Sequence, residues 1–246
     1  FIALVTLSLV GMALFVYQRR FAAMRARQAE QEAFSRQLIE SQEAERKRIA
    51  AELHDSLGQN LLIVKNWALV GLNTLGSENP AREHLSEISE TTSLALDEVR
   101  EIAHNLRPYQ LERLGLTNTL EFMMRGVRNS SDIEFTVELE NVDGLLPPES
   151  EINFYRIVQE LINNVIKHSD ATEAWLYVKR NDYGAQIICR DNGKGFDPAA
   201  AAKSRQSGMG LSGLAERVRI LGGQYTIESA PGTGANITIT INATHR

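Results

Sequence analysis

His54, Asp55 and Gln59 bring an imidazole, a carboxylate and a carboxamide together in the run Glu45 to Gln59, which is rich in good helix formers and free of proline. On a helix, Gln59 falls four residues after Asp55 and on the same face. Such a set can accept a group on a ring nitrogen, manage its proton and hold a water. Ile49, Leu53 and Leu57 mark an apolar stripe suited to a partner helix, and His54 lies one step off it, at an edge open to solvent. Taken alone, these residues read as plainly as a charged helix face with a satisfied histidine. The rest of the chain decides between the two.

A second group of residues lies far downstream. Glu160, Asn164, Lys167 and His168 stand at i, i+4, i+7 and i+8, so one helix would carry all four on one face. Carboxylate and carboxamide oxygens are hard ligands suited to Mg²⁺ or its waters, and a lysine adds a point charge for phosphate. Two consecutive asparagines, Asn163 and Asn164, are unexpected in mid-helix on propensity alone. Asp191-Asn-Gly-Lys-Gly-Phe-Asp197 follows a strand-like run; its glycines let backbone approach a ligand, and Asp191 can accept from an exocyclic amine. Gly208-Met-Gly-Leu-Ser-Gly213 opens a helical stretch whose backbone N–H groups can cradle phosphate. Pro231-Gly-Thr-Gly234 is a tight turn. Each glycine cluster alone is a weak signal, but their order and spacing together are not.

The elements that must position these groups can be read from periodicity. Between Gln18 and about Leu75 there is no proline, and glycine occurs only at Gly58 and Gly71, so one helix is expected to run through His54. Its apolar spacing is irregular around His54, and Gly58 adds local weakness, which suggests a place where packing can change. Gly76-Ser-Glu-Asn-Pro80 is a turn, and Ala81 to Leu106 should form a second helix with a seam at Leu85, Ile88, Thr92, Ala95, Val99, Ile102 and Leu106. The antiparallel hairpin has too little to bury alone, so pairing of two copies into a four-helix bundle completes it. Arg107-Pro108 ends this part, and Leu111 to Asn129 reads as a connecting helix. Strands are expected at Ile133–Leu139, Glu173–Lys179, Gln186–Arg190, Gln224–Ser229 and Asn236–Ile241, and helices at Glu149–His168 and near Leu214–Leu221, which makes an α+β two-layer domain.

Composition is compatible with this plan. The chain has 246 residues, 43% hydrophobic and 23% charged, enough for two domains with real cores. A net charge of −5 without a basic patch argues against nucleic-acid binding, and one cysteine, Cys189, excludes an internal disulfide framework. Phe1 to Tyr17 carries no charge, matches a short membrane span, and is followed by Arg19, Arg20, Arg25 and Arg27, so by the positive-inside bias the remainder is expected in the cytoplasm. A buried soluble helix is the alternative. The absence of an initial Met leads us to expect the end of a longer membrane protein whose sensing part precedes this sequence.

With these motifs assembled, the chain resembles a sensor histidine kinase of two-component systems. More narrowly it is similar to the nitrate-sensor and desaturase-thermosensor subfamily, which partners LuxR-type response regulators. Glu45 to Gln59, with its His-Asp-x-x-x-Gln, looks like that subfamily's H box. Glu160 to His168 look like the N box, Asp191-Asn-Gly-Lys-Gly the G1 box, Gly208-Met-Gly-Leu the G2 box and Gly232-Thr-Gly the G3 box. A glycine follows the histidine where the wider family has proline, and only Pro198 to Ser207 separates the G1 and G2 segments; both features suit the subfamily.

The resemblance implies a fold of two parts: a membrane-anchored helical hairpin forming a dimeric four-helix bundle, then a Bergerat-type (GHKL) two-layer α/β sandwich that binds ATP. The expected divisions are a transmembrane helix at 1–17, a juxtamembrane coiled coil at 18–44, the phosphotransfer hairpin at 45–107, a connecting helix at 108–130 and the ATP-binding domain at 131–246. It implies ATP-dependent autophosphorylation of His54 with Asp55 as its acid–base partner, transfer to an aspartate of a response regulator, and dephosphorylation of that regulator through Gln59. ATP contacts would come from Glu160, Asn164, Lys167, His168, Asp191, Gly193, Gly195, Gly208, Gly210, Leu211 and Thr233. Mg²⁺ would be held by Asn164 and Glu160. The implied protein is a homodimer in a bacterial cytoplasmic membrane that does not bind nucleic acid directly. Three rival readings exist: an ATP-driven machine of the gyrase or mismatch-repair class, a membrane scaffold with a degenerate site, and a serine kinase of the anti-sigma type.

Overall fold

The structure, a computed structural model, describes residues 2–108, 110–203 and 208–242. Helix α1 (Ile2–Glu52) passes directly into a six-residue π-helical turn, Leu53–Gly58, and on into α2 (Gln59–Thr74). The expected unbroken helix through His54 is therefore present, and its irregularity takes a definite form. One inward stripe of this helix runs through 39, 43, 46, 50, 53, 58, 61, 65, 68 and 72. Their spacing alternates between three and four except for one step of five, from Leu53 to Gly58, which the π turn absorbs by accommodating one extra residue in the coil. The predicted stripe is corrected by this insertion: Ile49 and Leu53 are half-buried, but Leu57 is exposed.

Asn79 tightens the turn before the next helix, its side-chain oxygen accepting the Ala81 amide at 2.9 Å, and α3 (Ala81–Leu106) returns antiparallel to α2. Arg82 closes the hairpin by donating to the terminal carbonyls of α2 at Leu72 and Leu75. The seam of α3 differs from the expected one. Ser89, Thr92, Leu96, Val99 and Ala103 are buried, whereas Ile88 and Ile102 are exposed. Both stripes alternate by three and four and share Thr92 and Val99; the chain's own helices cover the first and leave Ile88 and Ile102 of the second bare. Trp67 on α2, 76% exposed, and Val70 extend this bare apolar surface.

Helix α4 (Gln110–Ser130) is interrupted at Gly115, where the backbone turns to a φ of 83°. A five-stranded sheet follows, with order β1-β2-β3-β5-β4: β1 (Glu134–Leu139) pairs in parallel with β2 (Glu173–Asn181), and β2, β3 (Gly184–Asp191), β5 (Ala235–Asn242) and β4 (Gln224–Ser229) pair antiparallel. Helices α4, α5 (Pro148–Asn164) and α7 (Gly208–Ile220) bury the inner residues of the sheet, and Phe154, Ile157, Leu161, Leu176, Ile187, Leu214 and Ile239 form the center of the core. Such an apolar sheet face, covered by helices, is the two-layer arrangement expected. The short α6 (Pro198–Lys203) was not anticipated.

The proposed span Phe1–Tyr17 falls mostly on residues whose side chains lie outside the described ones. Among the described residues no helix is long and apolar enough to cross a membrane. Ser204 to Ser207, the end of the segment between the Asp191–Gly195 and Gly208–Leu211 motifs, is likewise outside the described residues.

Candidate active site

The π turn carries His54 and Asp55 outward. Nδ1 of His54 lies 2.8 Å from Oδ1 of Asp55, and the two side chains are 71% and 72% exposed. A carboxylate on Nδ1 favours the tautomer with its proton there and leaves the Nε2 lone pair free. The ring thus presents Nε2 to solvent. Gln59, exposed, begins α2 directly after the turn. Upstream on the same helix, Arg48 pairs with Glu45 at 2.6 Å and Glu52 at 3.0 Å, which secures the helix leading into the turn.

The second cluster assembles around a cavity of about 460 Å³. Its walls come from α5 (Glu160, Leu161, Asn164), from the ends of β3 and β5 (Cys189, Asp191, Ala235, Ile237), from the loop after β3 (Lys194, Gly195, Phe196) and from Leu211 on α7. Helix α5 also changes character here: it ends at Asn164 and continues as a second π turn, Val165–Ser169, closed by Asp170 in the left-handed conformation at φ 54°. His168 and Ser169 line the cavity from this turn.

The loop after β3 is built against that turn. The Lys194 amide donates to the Ser169 carbonyl at 2.7 Å, and Lys194 Nζ lies 2.9 Å from Asp170. Asn192 accepts the Thr172 and Glu173 amides at 3.0 Å each. A Cβ at Gly193 would overlap the Ser169 carbonyl, and Gly195, at φ 60°, would press one onto the Ala230 carbonyl. Both positions require glycine, because main chain passes main chain without room for a side chain. The turn between β4 and β5 braces the loop from the other side, with the Gly232 amide donating to Lys194 O at 2.6 Å and the Phe196 amide to Ser229 Oγ at 2.9 Å.

Among the expected nucleotide contacts, Glu160, Asn164, His168, Asp191, Gly195 and Leu211 meet at this one cavity. Gly193 lies just behind Asp191, whose Oδ1 accepts its amide at 2.9 Å. Gly208 and Gly210 form the first turn of α7. Lys167 is exposed and outside the lining, because the π turn rotates it away from the face that Glu160 and Asn164 share. Thr233 is also outside it: its hydroxyl donates to Ala230 O at 2.9 Å and serves its own turn. Cys189, which reads as core, lines the cavity floor. Burial first, and then the charge of Asp191, push its thiol up to about 12, so it stays protonated. Phe196 and Lys194 lie within the Asp-Asn-Gly-Lys-Gly-Phe run, whereas Ser169, Ala235 and Ile237 carry no sequence signal of their own.

Among the described residues lining the cavity, one buried side-chain polar atom lacks a partner. Nδ2 of Asn164 is buried with no hydrogen bond, a costly arrangement unless a ligand completes it. The donor set fits a nucleotide and a hard cation: Glu160 and Asn164 offer oxygen ligands, and the other positions around a Mg²⁺ would be left to phosphates and water. Among the described residues no three of His, Cys, Asp and Glu cluster as a metal site by themselves, so a cation here would depend on the nucleotide's oxygens.

Two segments of the chain match known families. Residues 45–111 match the family described as "Histidine kinase", and residues 149–245 match "Histidine kinase-, DNA gyrase B-, and HSP90-like ATPase". The chain is 32% identical over 220 residues to the sensor histidine kinase MctS of Rhizobium johnstonii, covering 89% of this chain and 47% of that one. It is 30% identical over 204 residues to the signal transduction histidine-protein kinase/phosphatase UhpB of Salmonella typhimurium, covering 82% and 40%. With the kinase/phosphatase DegS of Brevibacillus brevis it shares 30% over 218 residues, covering 87% and 55%. The chain therefore spans about half the length of the curated relatives it matches. The histidine kinase domain of a blue-light-activated histidine kinase from Erythrobacter litoralis has the same fold, with a TM-score of 0.50 at 14% identity over 76% of this chain and 95% of that one. A histidine-bearing helical hairpin joined to a gyrase- and HSP90-like ATP-binding domain, in this order and with these relatives, makes the chain a member of the sensor histidine kinases.

Proposed function

We propose that the chain is an ATP-dependent protein-histidine kinase that phosphorylates its own His54 and passes the phosphoryl group to an aspartate of a response regulator. The observation that carries this reading is the His54–Asp55 pair, which leaves Nε2 free and exposed in a chain that also has a nucleotide-shaped cavity. The Nε2 lone pair forms the new bond to the γ-phosphorus, the bond from that phosphorus to the bridging oxygen breaks, and ADP leaves. Asp55 balances the positive charge that develops on the ring through the Nδ1 proton. Asp191, buried at the cavity floor, is suited to the adenine amine, and the glycine-lined first turn of α7 to phosphate. Mg²⁺, held by Asn164 and Glu160, would neutralise phosphate charge when bound. Gln59, exposed directly after the turn, orients a water for dephosphorylating the regulator in this reading, which makes the protein bifunctional.

The same reading covers the partners. The bare stripe formed by Trp67, Val70, Ile88 and Ile102 suits a second copy of the hairpin and a four-helix bundle. The family resemblance favours a regulator with a LuxR-type output domain. The uncharged run to Tyr17, followed by Arg19, Arg20, Arg25 and Arg27, supports a bacterial membrane anchor with the kinase part in the cytoplasm. Incubation with γ-labelled ATP tests the central assignment. Acid-labile, base-stable label that is absent from His54→Gln supports it, and ATP hydrolysis without protein labelling points instead to a gyrase-like machine.

A further inference from the structure

Arg19 and Arg25 each lie over an aromatic ring one turn nearer the start of α1. The guanidinium carbon of Arg19 is 5.5 Å from the centre of the Phe15 ring, and that of Arg25 is 4.3 Å from the centre of Phe21. Tyr17 stacks with Phe21, their ring centres 6.1 Å apart and their planes 9° from parallel. Tyr17, Phe21 and Arg25 thus form a ladder at i, i+4 and i+8. The helix itself sets this direction, because its side chains lean toward the N-terminus. Arginines that follow an uncharged run therefore reach back to its edge. Arg20 and Arg27 are exposed in the same stretch, and no acidic residue precedes Glu30.

We propose that this collar of arginines binds the phosphate of anionic phospholipid headgroups, with Phe15 and Phe21 as shelves that hold Arg19 and Arg25 in place. The site rests on the membrane anchor read from the uncharged run that ends at Tyr17. A guanidinium stacked by its face on a ring keeps its N–H edge free. That planar fork matches two phosphate oxygens at once. Tyr17, an apolar ring with a polar hydroxyl, suits the boundary between hydrocarbon and headgroup. Arg19 and Arg25 are six residues apart, about 9 Å along the axis. Headgroups fill a layer about 5–8 Å deep, and a surface charge is felt for about 8 Å beyond it. Both arginines therefore fall within reach of phosphate.

Two observations favour lipid over another anionic partner. First, at about 100° per residue, Arg19, Arg20 and Arg25 point to three different sides of α1, each about 100–140° from the next. A protein or a nucleic acid would approach from one side, whereas headgroups surround a helix that crosses their layer. Second, Leu14, Phe15 and Val16 are exposed, so the apolar surface continues up to the arginines. Apolar circumference followed by a ring of cations is the polarity profile of a leaflet, hydrocarbon first and phosphate next. The site also goes beyond sidedness. Any set of cations can orient a span, but a stacked guanidinium makes lipid preference depend on the rings, and on arginine rather than lysine.

The test reconstitutes the full chain in phosphatidylcholine vesicles carrying a trace of spin-labelled phosphatidylglycerol or, in parallel, spin-labelled phosphatidylcholine. Electron paramagnetic resonance reads the share of each label that the protein immobilises. The collar predicts a preference for phosphatidylglycerol of about fivefold or more, which Arg19→Gln with Arg25→Gln brings close to equality. Phe15→Leu with Phe21→Leu retains every charge and the apolar character, yet should lower the preference at least about twofold, and Arg19→Lys with Arg25→Lys should do the same. Equal immobilisation of the two lipids by the unsubstituted chain overturns the proposal. So does a preference that the leucine pair leaves unchanged, since charge alone would then suffice. Loss of the preference when inorganic phosphate is added at constant ionic strength assigns the site to free anions and overturns it as well. A chain that does not float with phosphatidylcholine vesicles refutes the anchor and the collar together, whereas one that floats without lipid preference refutes the collar alone.

Discussion

His54 Nδ1 and Asp55 Oδ1 meet at 2.8 Å between consecutive residues of one widened helical turn, and the opposite ring nitrogen is left to solvent. The contact assigns separate work to two atoms of one imidazole. Nδ1 is the site of charge control and Nε2 the site of bond formation. A partner one residue away also travels with the histidine, so the pair remains assembled whichever way the helix turns.

Asp55→Asn keeps a hydrogen-bond acceptor beside Nδ1 but removes the negative charge. The expected result is autophosphorylation slowed by about 10²-fold or more at unchanged ATP affinity, measured as the initial rate of labelling. A rate equal to that of the unsubstituted chain would show that the carboxylate only orients the ring.

Gln59 opens α2 immediately after the turn, exposed and clear of the His54–Asp55 contact. Gln59→Ala should therefore label at nearly the normal rate, yet dephosphorylate the phosphorylated regulator at least about 10-fold more slowly. Unchanged phosphatase activity would remove this residue from that path.

Asn164 presents the reverse of an ordinary core mutation. Its Nδ2 is buried and unpaired, so Asn164→Ala removes a desolvated polar group that no protein atom satisfies. The nucleotide-free protein should be as stable as the original or more so in thermal unfolding. ATP binding should weaken by about 1–3 kcal/mol, and the upward shift of the melting temperature with ATP should largely disappear.

Cys189 tests the environment of the cavity floor through pH. Its thiol is raised to about 12, first by burial and then by Asp191, so the reactive thiolate appears only well above neutrality. A thiol reagent at pH 8 should leave the native protein unmodified over the time in which it labels the urea-unfolded chain fully. Rapid labelling of the native protein at pH 8 would contradict this burial.

Much of the fold is written locally. The bounds of α3 coincide with those expected from the turn before it and the Arg107-Pro108 after it, and β4 was placed to the residue. Glu160–His168, Asp191–Asp197 and Gly208–Gly213 each send residues to one cavity, and in the second of these Gly193 and Gly195 are demanded by a close approach of main chain. Other features are hidden for physical reasons. The α3 seam was misplaced because two stripes share Leu85, Thr92, Val99 and Leu106, and the alternatives at 88/89, 95/96 and 102/103 differ by one residue. The π turn at His54 was legible only as an irregularity, since the inward position after Leu53 is a glycine rather than an apolar residue. Lys167 was assigned to the wrong face because a π turn cannot be counted from α-helical periodicity. The contact between Glu43 and Arg156 spans 113 residues, so no local spacing announces it.

The position of the phosphoryl group on the ring is the most direct test of the account. The chain, with ¹⁵N in its histidines, would be incubated with ATP and Mg²⁺ and the site of attachment read from nitrogen–phosphorus coupling. The geometry predicts a single modified residue, His54, carrying the phosphoryl group on Nε2, with Nδ1 unmodified beside Asp55. Attachment at Nδ1, or on any other residue, would contradict it.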